Sequence, residues 1–209
     1  MPPTTENAAP FEVIAAPFEA YIAPIETPFP LVDDAFAEFD LAWKLLGTSG
    51  NFNLDDTGVM VAHSQALNLW RALASSGPRK AFRTSEDLTI SMVLVDLSLE
   101  QYSHIMEANA ITTTPGGVGV AGFKKLGLSR GFSVQIKSLL VRGPSPYMDG
   151  GIMQYEVPIC VQAGDPSLAF VKDKPAGLSL KFQAMEDASA ADASERFGRV
   201  VAQTDVAST

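Results

Sequence analysis

The chain has 209 residues, 46% of them hydrophobic and 19% charged, a composition suited to one ordinary globular domain with extensions. No run approaches the roughly eighteen consecutive apolar residues of a transmembrane helix, and the opening MPPTTENAAP lacks the basic flank and apolar run of a secretory signal. Residues 1–56 carry ten acids and one base, Lys44, and so hold the whole net charge of −9; residues 57–209 carry fourteen of each. Neither part clusters the cations that grip phosphates, so DNA nearby is expected to be repelled rather than bound. Cys160 is the single cysteine. No internal disulfide is available, as in proteins that assemble in a reducing cytoplasm.

In chain order, residues 1–34 hold seven of the fourteen prolines and a near-repeat, Ala9-Pro10-Phe11-Glu12 then Ala16-Pro17-Phe18-Glu19. Prolines this dense forbid a helix, and residues 1–10 read as a disordered leader. Phe18–Ala23 reads as a strand, and the remainder, too apolar to stay solvated, reads as an arm lying on its own body or on a neighbour. Ala35–Leu46 is compatible with a helix or with a strand leading to Gly47, with Trp43, Leu45 and Leu46 as core candidates. Thr48–Asp56 is turn-rich. Gly58–His63 alternates as a strand does, Ala66–Ala74 reads as a strand or short helix, and Ser75–Lys80 contains a Gly77-Pro78 turn.

The segment Thr84–Met106 organises the rest. Leu88, Ile90, Met92 and Leu94 alternate with Thr89, Ser91, Val93 and Val95, predicting a strand with one core face. Glu86 and Asp87, adjacent in such a strand, point to opposite faces and form no catalytic pair. Ser98 and Gln101 have the spacing of a capping box, and Leu97 and Tyr102 that of a hydrophobic staple. A short helix follows with Tyr102, Ile105 and Met106 as its apolar stripe and Asn109 as its stop. Beyond it, Ile111–Lys125 reads as a flexible hairpin or loop. Phe132–Val141 reads as a strand with Val134, Ile136 and Leu139 inward. Arg142–Gly151 is a long turn, and Ile152–Gln162 is a strand with Tyr155, Val157, Ile159 and Val161 on one face and Pro158 marking an edge or bulge. Leu168–Lys172 is a short strand. Gly177–Ala184 alternates with Leu178, Leu180 and Phe182 inward. Ala193–Gln203 has a helical composition within a polar, Ala-rich tail. The sum is a mainly β protein, an antiparallel sandwich or barrel with one flanking helix and extended ends.

Three patterns carry the form of known chemistry. Gly117, Gly119 and Gly122 spell G-x-G-x-x-G, but a dinucleotide site needs a strand before it, a helix after it and an acid about twenty residues on, and no acid lies between Glu107 and Asp149. Gly127-Leu-Ser129-Arg-Gly131 spells G-x-S-x-G, yet a nucleophile elbow needs a following helix and a later histidine, whereas His63 and His104 both come earlier. A loop and a turn serine are the better readings. His63, His104 and Cys160 lack ligand spacing, so no metal, cofactor or catalytic residue is expected, and His104 reads as solvated.

Tyr21-Ile22-Ala23-Pro24, Gly47-Thr48-Ser49-Gly50, Gly58-Val59, the run Pro78–Asp87, the strand-into-helix Thr89–Ile105 and the closing Pro175–Ala184 together resemble the tail tube (major tail) proteins of long, non-contractile-tailed bacteriophages. The resemblance spans residues 17–187 and rests on the order in which these motifs occur. It implies a β-sandwich or barrel, also shared with type VI secretion tube proteins, whose hexameric rings stack head-to-tail into a hollow conduit for DNA ejection. On that basis residues 1–16 are a flexible acidic arm, 17–187 the tube domain, 47–85 a long excursion to the adjacent ring, and 188–209 a C-terminal arm. Ser91, Ser133, Gln135, Ser179 and Gln183 are the lumen-facing candidates. Asp55, Asp56, Arg79, Lys80 and Arg83 are the candidate contacts between subunits. The implied partners are other copies of the chain, a tape-measure protein, a tail terminator and baseplate or distal tail proteins. Phage DNA would pass through the lumen without specific binding. No membrane is involved; the protein would be assembled in the host bacterial cytoplasm and reside in the virion tail. A non-enzymatic structural role is expected. The alternatives are an esterase-like enzyme using Ser129 and a β-sandwich binding module of a virion or secretion apparatus, for carbohydrate for example.

Overall fold

The computed structural model describes residues 13–33, 40–47, 53–106, 109–173 and 175–205. Most of the expected leader, residues 34–39 of the helix-or-strand segment, residues 48–52 of the turn-rich stretch and the last four residues lie outside the described part. The protein is mainly β. Ten strands occur among the described residues: β1 Glu19–Pro24, β2 Lys44–Leu45, β3 Leu54–Trp70, β4 Lys80–Leu94, β5 Thr112–Thr114, β6 Phe123–Lys125, β7 Ile136–Pro144, β8 Ile152–Gln162, β9 Leu178–Ala184 and β10 Arg199–Ala202. The α-helix among the described residues, α1, spans Leu99–Met106. Eight of the strands form one antiparallel sheet in the order β2-β1-β7-β8-β9-β4-β3, with β10 also paired to β8; β5 and β6 form a separate hairpin.

The sheet curls round one core. Ala20 and Ile22 of β1 share a cluster with Leu88, Ile90, Met92 and Leu94 of β4, although three strands separate them in the sheet. Leu178, Leu180 and Phe182 of β9 and Ile105 and Met106 of α1 complete it. The alternation expected for β4 and β9 is therefore the alternation observed. The opposite face of β1 and β7 is covered as well: Tyr21, Ala23 and Leu140 pack with Trp43, Phe29 and Leu45. Trp43 Nε1 donates to the Pro28 carbonyl at 2.9 Å and its ring lies 5.3 Å from that of Phe29. Buried Gln154 donates to the Pro30 carbonyl at 2.7 Å and Arg142 to that of Val32 at 2.9 Å. The arm thus lies on its own body as far as Val32.

Strand β8 divides the sheet. Met153–Glu156 pair with β10, whereas Cys160–Gln162 pair with β9. Between them Val157 faces Leu139 of β7 but Cys160 faces Lys137, so β8 holds one more residue than its partner around Pro158. The bulge reverses the inward phase: Val157 and Cys160 are buried in the core, and Ile159 and Val161 are not. That corrects the single face expected for Tyr155, Val157, Ile159 and Val161, while Pro158 does mark a bulge.

Other expectations change too. Strand β7 begins at Ile136, so Phe132–Gln135 is irregular, Val134 and Ile136 are exposed, and the inward residues are Leu139 and Val141. Leu168–Lys172 forms no strand. Ala193–Glu195 is a single 3-10 turn, and Arg199–Ala202, expected in a helical arm, is β10, an integral part of the sheet. Strand β3 joins the expected Gly58–His63 piece to the first half of the Ala66–Ala74 piece and ends at Trp70, leaving residues 71–74 in the tip.

Candidate assembly surfaces

Strands β3 and β4 form a hairpin paired from Val59↔Met92 out to Trp70↔Lys80. Near the body its inner face is buried, with Val59 and Val61 packed on the core opposite Met92 and Ile90. From Ser64 outward every residue of β3 is exposed, as is β4 from Lys80 to Glu86. Seven residues of strand, Ser64–Trp70, span roughly 20–25 Å. The ribbon projects that far.

A bulge lies where Ala66↔Ser85 is followed by Leu67↔Arg83; the extra residue, Thr84, donates its hydroxyl to the Ala66 carbonyl at 3.2 Å. Beyond it, register puts Leu67, Leu69, Ala81 and Arg83 on one face and Asn68, Trp70, Lys80 and Phe82 on the other. Leu67, Leu69, Trp70, Phe82 and, in the tip, Leu73 are all exposed. The Lys80 ammonium sits 4.9 Å from the centre of the Phe82 ring, and Arg71 braces the tip by donating to the Ser76 carbonyl at 3.1 Å. Arg83 is engaged within the hairpin, donating to Gln65 at 3.0 Å and pairing with Glu86 at 2.9 Å.

The candidate contact residues therefore fall into two groups. Arg79 and Lys80 lie at the tip with Arg83 just below. Asp55 and Asp56 lie at the root, roughly 40–45 Å of strand away. Hydrogen bonding between the two root carboxyls, reinforced by their mutual repulsion, raises Asp56 above the ordinary carboxylate range.

The five lumen candidates are split as well. Ser91, Ser179 and Gln183 share the outer face of the β4–β9 pair, where Ser91 lies opposite Lys181, Val93 opposite Ser179 and Thr89 opposite Gln183. One row, Thr89–Gln183–Val161–Ile136, crosses four strands on that face. Gln183 donates to Asp87 at 2.9 Å. Ser133 and Gln135 lie instead in the irregular stretch before β7, off that face; Gln135 borders a small void with His104, Lys137, Cys160, Gln162 and Phe182.

His104 is not solvated as expected: burial against this void, with the Lys137 charge adding, lowers it to about 4. Cys160 is fully buried there, and its thiol is pushed up to about 12 by that burial. An uncharged thiol this inaccessible is inert. Sequence reasoning missed this because the apolar stripe of α1 alone does not reveal that the end of β8 reaches the helix.

Gly117, Gly119 and Gly122 lie in the β5–β6 hairpin, closed by a Gly117↔Val120 bridge, with no helix following. Ser129 lies in the irregular stretch between β6 and β7, its carbonyl held by Asn109 Nδ2 at 2.8 Å; a strand rather than a helix comes next. Neither local geometry is the one its motif requires. Among the described residues no group of three or more His, Cys, Asp or Glu is placed to hold a metal ion, and no helix is long and apolar enough to cross a membrane. No protein-family model matches the chain, and no curated protein matches it.

Proposed function

We propose that this protein is a structural subunit that polymerises, and that its assembly is the tail tube of a long, non-contractile-tailed bacteriophage. The observation that carries the reading is the β3–β4 hairpin, which leaves the body with apolar side chains exposed on both faces. An isolated two-stranded ribbon is marginally stable in water. Among the described residues nothing pairs with the outer edge of its seventeen-residue β3 strand, in which no Lys, Arg or Pro blunts further pairing. Both features are resolved if the ribbon lies on neighbouring subunits. The outer face of β4 and β9, with Thr89, Ser91, Ser179 and Gln183 around the single lysine Lys181, suits a conduit wall that lets DNA slide, because one isolated cation grips phosphates weakly. Head-to-tail stacking of rings is a heterologous contact and gives an open filament. The tape-measure, terminator and baseplate partners follow from the resemblance alone.

The exposed Trp70 and Phe82 favour one other reading, a binding module that stacks a sugar ring on the hairpin tip. Oligomeric state separates the two. Negative-stain microscopy and light scattering of the concentrated protein are expected to show rings or hollow tubes. A strict monomer that binds carbohydrate through Trp70, or hydrolyses an ester through Ser129, overturns the tube.

A further inference from the structure

The charge of this chain is segregated along its length. Residues 64–85 contain Arg71, Arg79, Lys80 and Arg83 and no acid. With the whole chain at −9, everything outside that stretch carries −13. A second segment has the opposite composition: residues 186–195 (EDASAADASE) contain four acids and no base. Within it Asp187-Ala-Ser189 and Asp192-Ala-Ser194 fold alike, each aspartate accepting from the backbone N–H of its serine at 2.8 Å and from the hydroxyl at 2.6 and 2.7 Å. Those neutral donors keep both carboxyls below the usual range. Among the described residues no cation pairs with either.

Beside these turns lies an open cleft of about 210 Å³ with Phe29, Pro158 and Ala190 as apolar walls and Glu156, Asp187 and Glu195 as acids. Its resident cation, Arg199, is already bound to Glu156 at 2.6 Å and Glu195 at 3.4 Å. Glu156 is buried beneath Arg199 and Glu186 pairs with Arg196, so the surface is apolar at its centre, and Asp187 and Asp192 are the acids of residues 186–195 that no cation pairs among the described residues. The hairpin tip is the converse: exposed Trp70 precedes Arg71 and accepts at its carbonyl from the Arg79 N–H at 2.9 Å, and Leu73 is exposed beyond it. A paired ribbon that points away from its own body presents its tip to another molecule.

We infer that the tip of the β3–β4 hairpin of one copy docks on the acid-rimmed cleft formed by residues 186–195, Phe29 and Pro158 of a second copy. This rests on the reading that the protein self-assembles, and names the two surfaces that do it. The contact is heterologous, so it propagates rather than closing on itself as a two-fold dimer does. Being partly a rim-charge interaction, it weakens as salt rises.

Cysteine cross-linking of the full chain tests it, since buried Cys160 stays silent. Leu73→Cys at the tip, Ala190→Cys in the cleft and Asp56→Cys at the hairpin root are made singly and oxidised in pairs. The tip–cleft mixture is expected to give the disulfide-linked heterodimer and the tip–root mixture about tenfold less. Reversing the tip with Arg79→Glu and Lys80→Glu lowers the yield about tenfold, the effect of introducing like charges at a rim, and Asp187→Lys with Asp192→Lys in the partner restores it. Rings or tubes that form without the tip–cleft cross-link, or with the tip linked to the root, overturn this docking and leave the tube standing. A monomer with no cross-link at any pair overturns both.

Discussion

Gln101 and Gly47 are joined across 54 residues of chain by one buried hydrogen bond, 2.9 Å from the Gly47 N–H to Gln101 Oε1. The Gln101 backbone N–H is itself held by Ser98 Oγ at 3.3 Å. Only half of the expected capping box therefore forms: Ser98 caps the helix, but the glutamine side chain turns away to pin the end of the β2 segment. Gly47 sits at φ +95°, and a Cβ there would overlap the Asn53 side chain, which donates to the Leu46 carbonyl.

Replacing Gln101 by Ala strands the Gly47 N–H and is expected to cost about 1–3 kcal/mol. Ser98→Ala, which removes a longer bond at a more exposed site, is expected to cost about 0.5–1 kcal/mol. Urea unfolding gives both as shifts in midpoint at constant slope. Equal losses for the two variants would mean that Gln101 acts only as a helix residue.

Arg199 is the main cation on a buried carboxylate. Glu156 is almost wholly buried, accepts from Gln154 at 2.5 Å and meets Arg199 Nε at 2.6 Å; Arg199 itself is about half exposed. Arg199→Ala leaves Glu156 with Gln154 alone and is expected to destabilise by about 1–3 kcal/mol, below the range for a fully buried pair because solvent screens the arginine. In the double variant with Glu156→Gln the loss is smaller than the two single losses combined, and the cycle reads the coupling directly. Additive losses would sink the pairing as the source of the effect.

Where one face met one core, the sequence was enough. Leu88 to Leu94 and Leu178 to Phe182 alternate without interruption because β4 and β9 pair in unbroken register. Strand β8 defeated the same rule, since the residue added at Pro158 inverts the phase and the neighbour changes from β10 to β9 at that point. Arg199–Ala202 is too short to show a period of its own; its pairing with Met153–Glu156 makes it a strand. The outer-face grouping of Ser91, Ser179 and Gln183 was legible from alternation, whereas Ser133 and Gln135 alternate in a stretch that precedes β7, which starts three residues after Ser133. The hairpin's length was hidden by Gly58 and by the Thr84 bulge, each of which interrupts the alternation without ending the strand.

Because the outer hairpin touches so little of the core, it is separable from stability. Joining Ser64 to Asp87, which face each other across the ladder, through an Asn-Gly turn in place of residues 65–86 closes β3 and β4 as a short hairpin. The body is expected to keep its unfolding free energy to within about 0.5 kcal/mol, as for other surface changes, while self-association disappears. Circular dichroism melts and light scattering on the same preparation check the two halves. A collapse of the body would show that the ribbon is a folding element rather than an assembly element.

His104 links stability to pH. Its folded pKa is lowered to about 4 from 6.5, chiefly by burial and secondarily by the Lys137 charge, with the uncharged Cys160 thiol also bordering the void. The unfolded chain takes up a proton below about pH 6.5 that the folded protein refuses until about pH 4. The contribution of neutral His104 is therefore complete above pH 6.5 and is lost as pH falls through that interval. At pH 4.5 the loss is expected to be about 2–3 kcal/mol relative to pH 7.5. His104→Gln cannot titrate, so the difference between wild type and variant isolates this residue from the carboxylates common to both. Urea midpoints at pH 7.5, 5.5 and 4.5 should fall more steeply for the wild type. Parallel declines would show that His104 is solvated after all and that the void beneath α1 imposes no penalty on its charge.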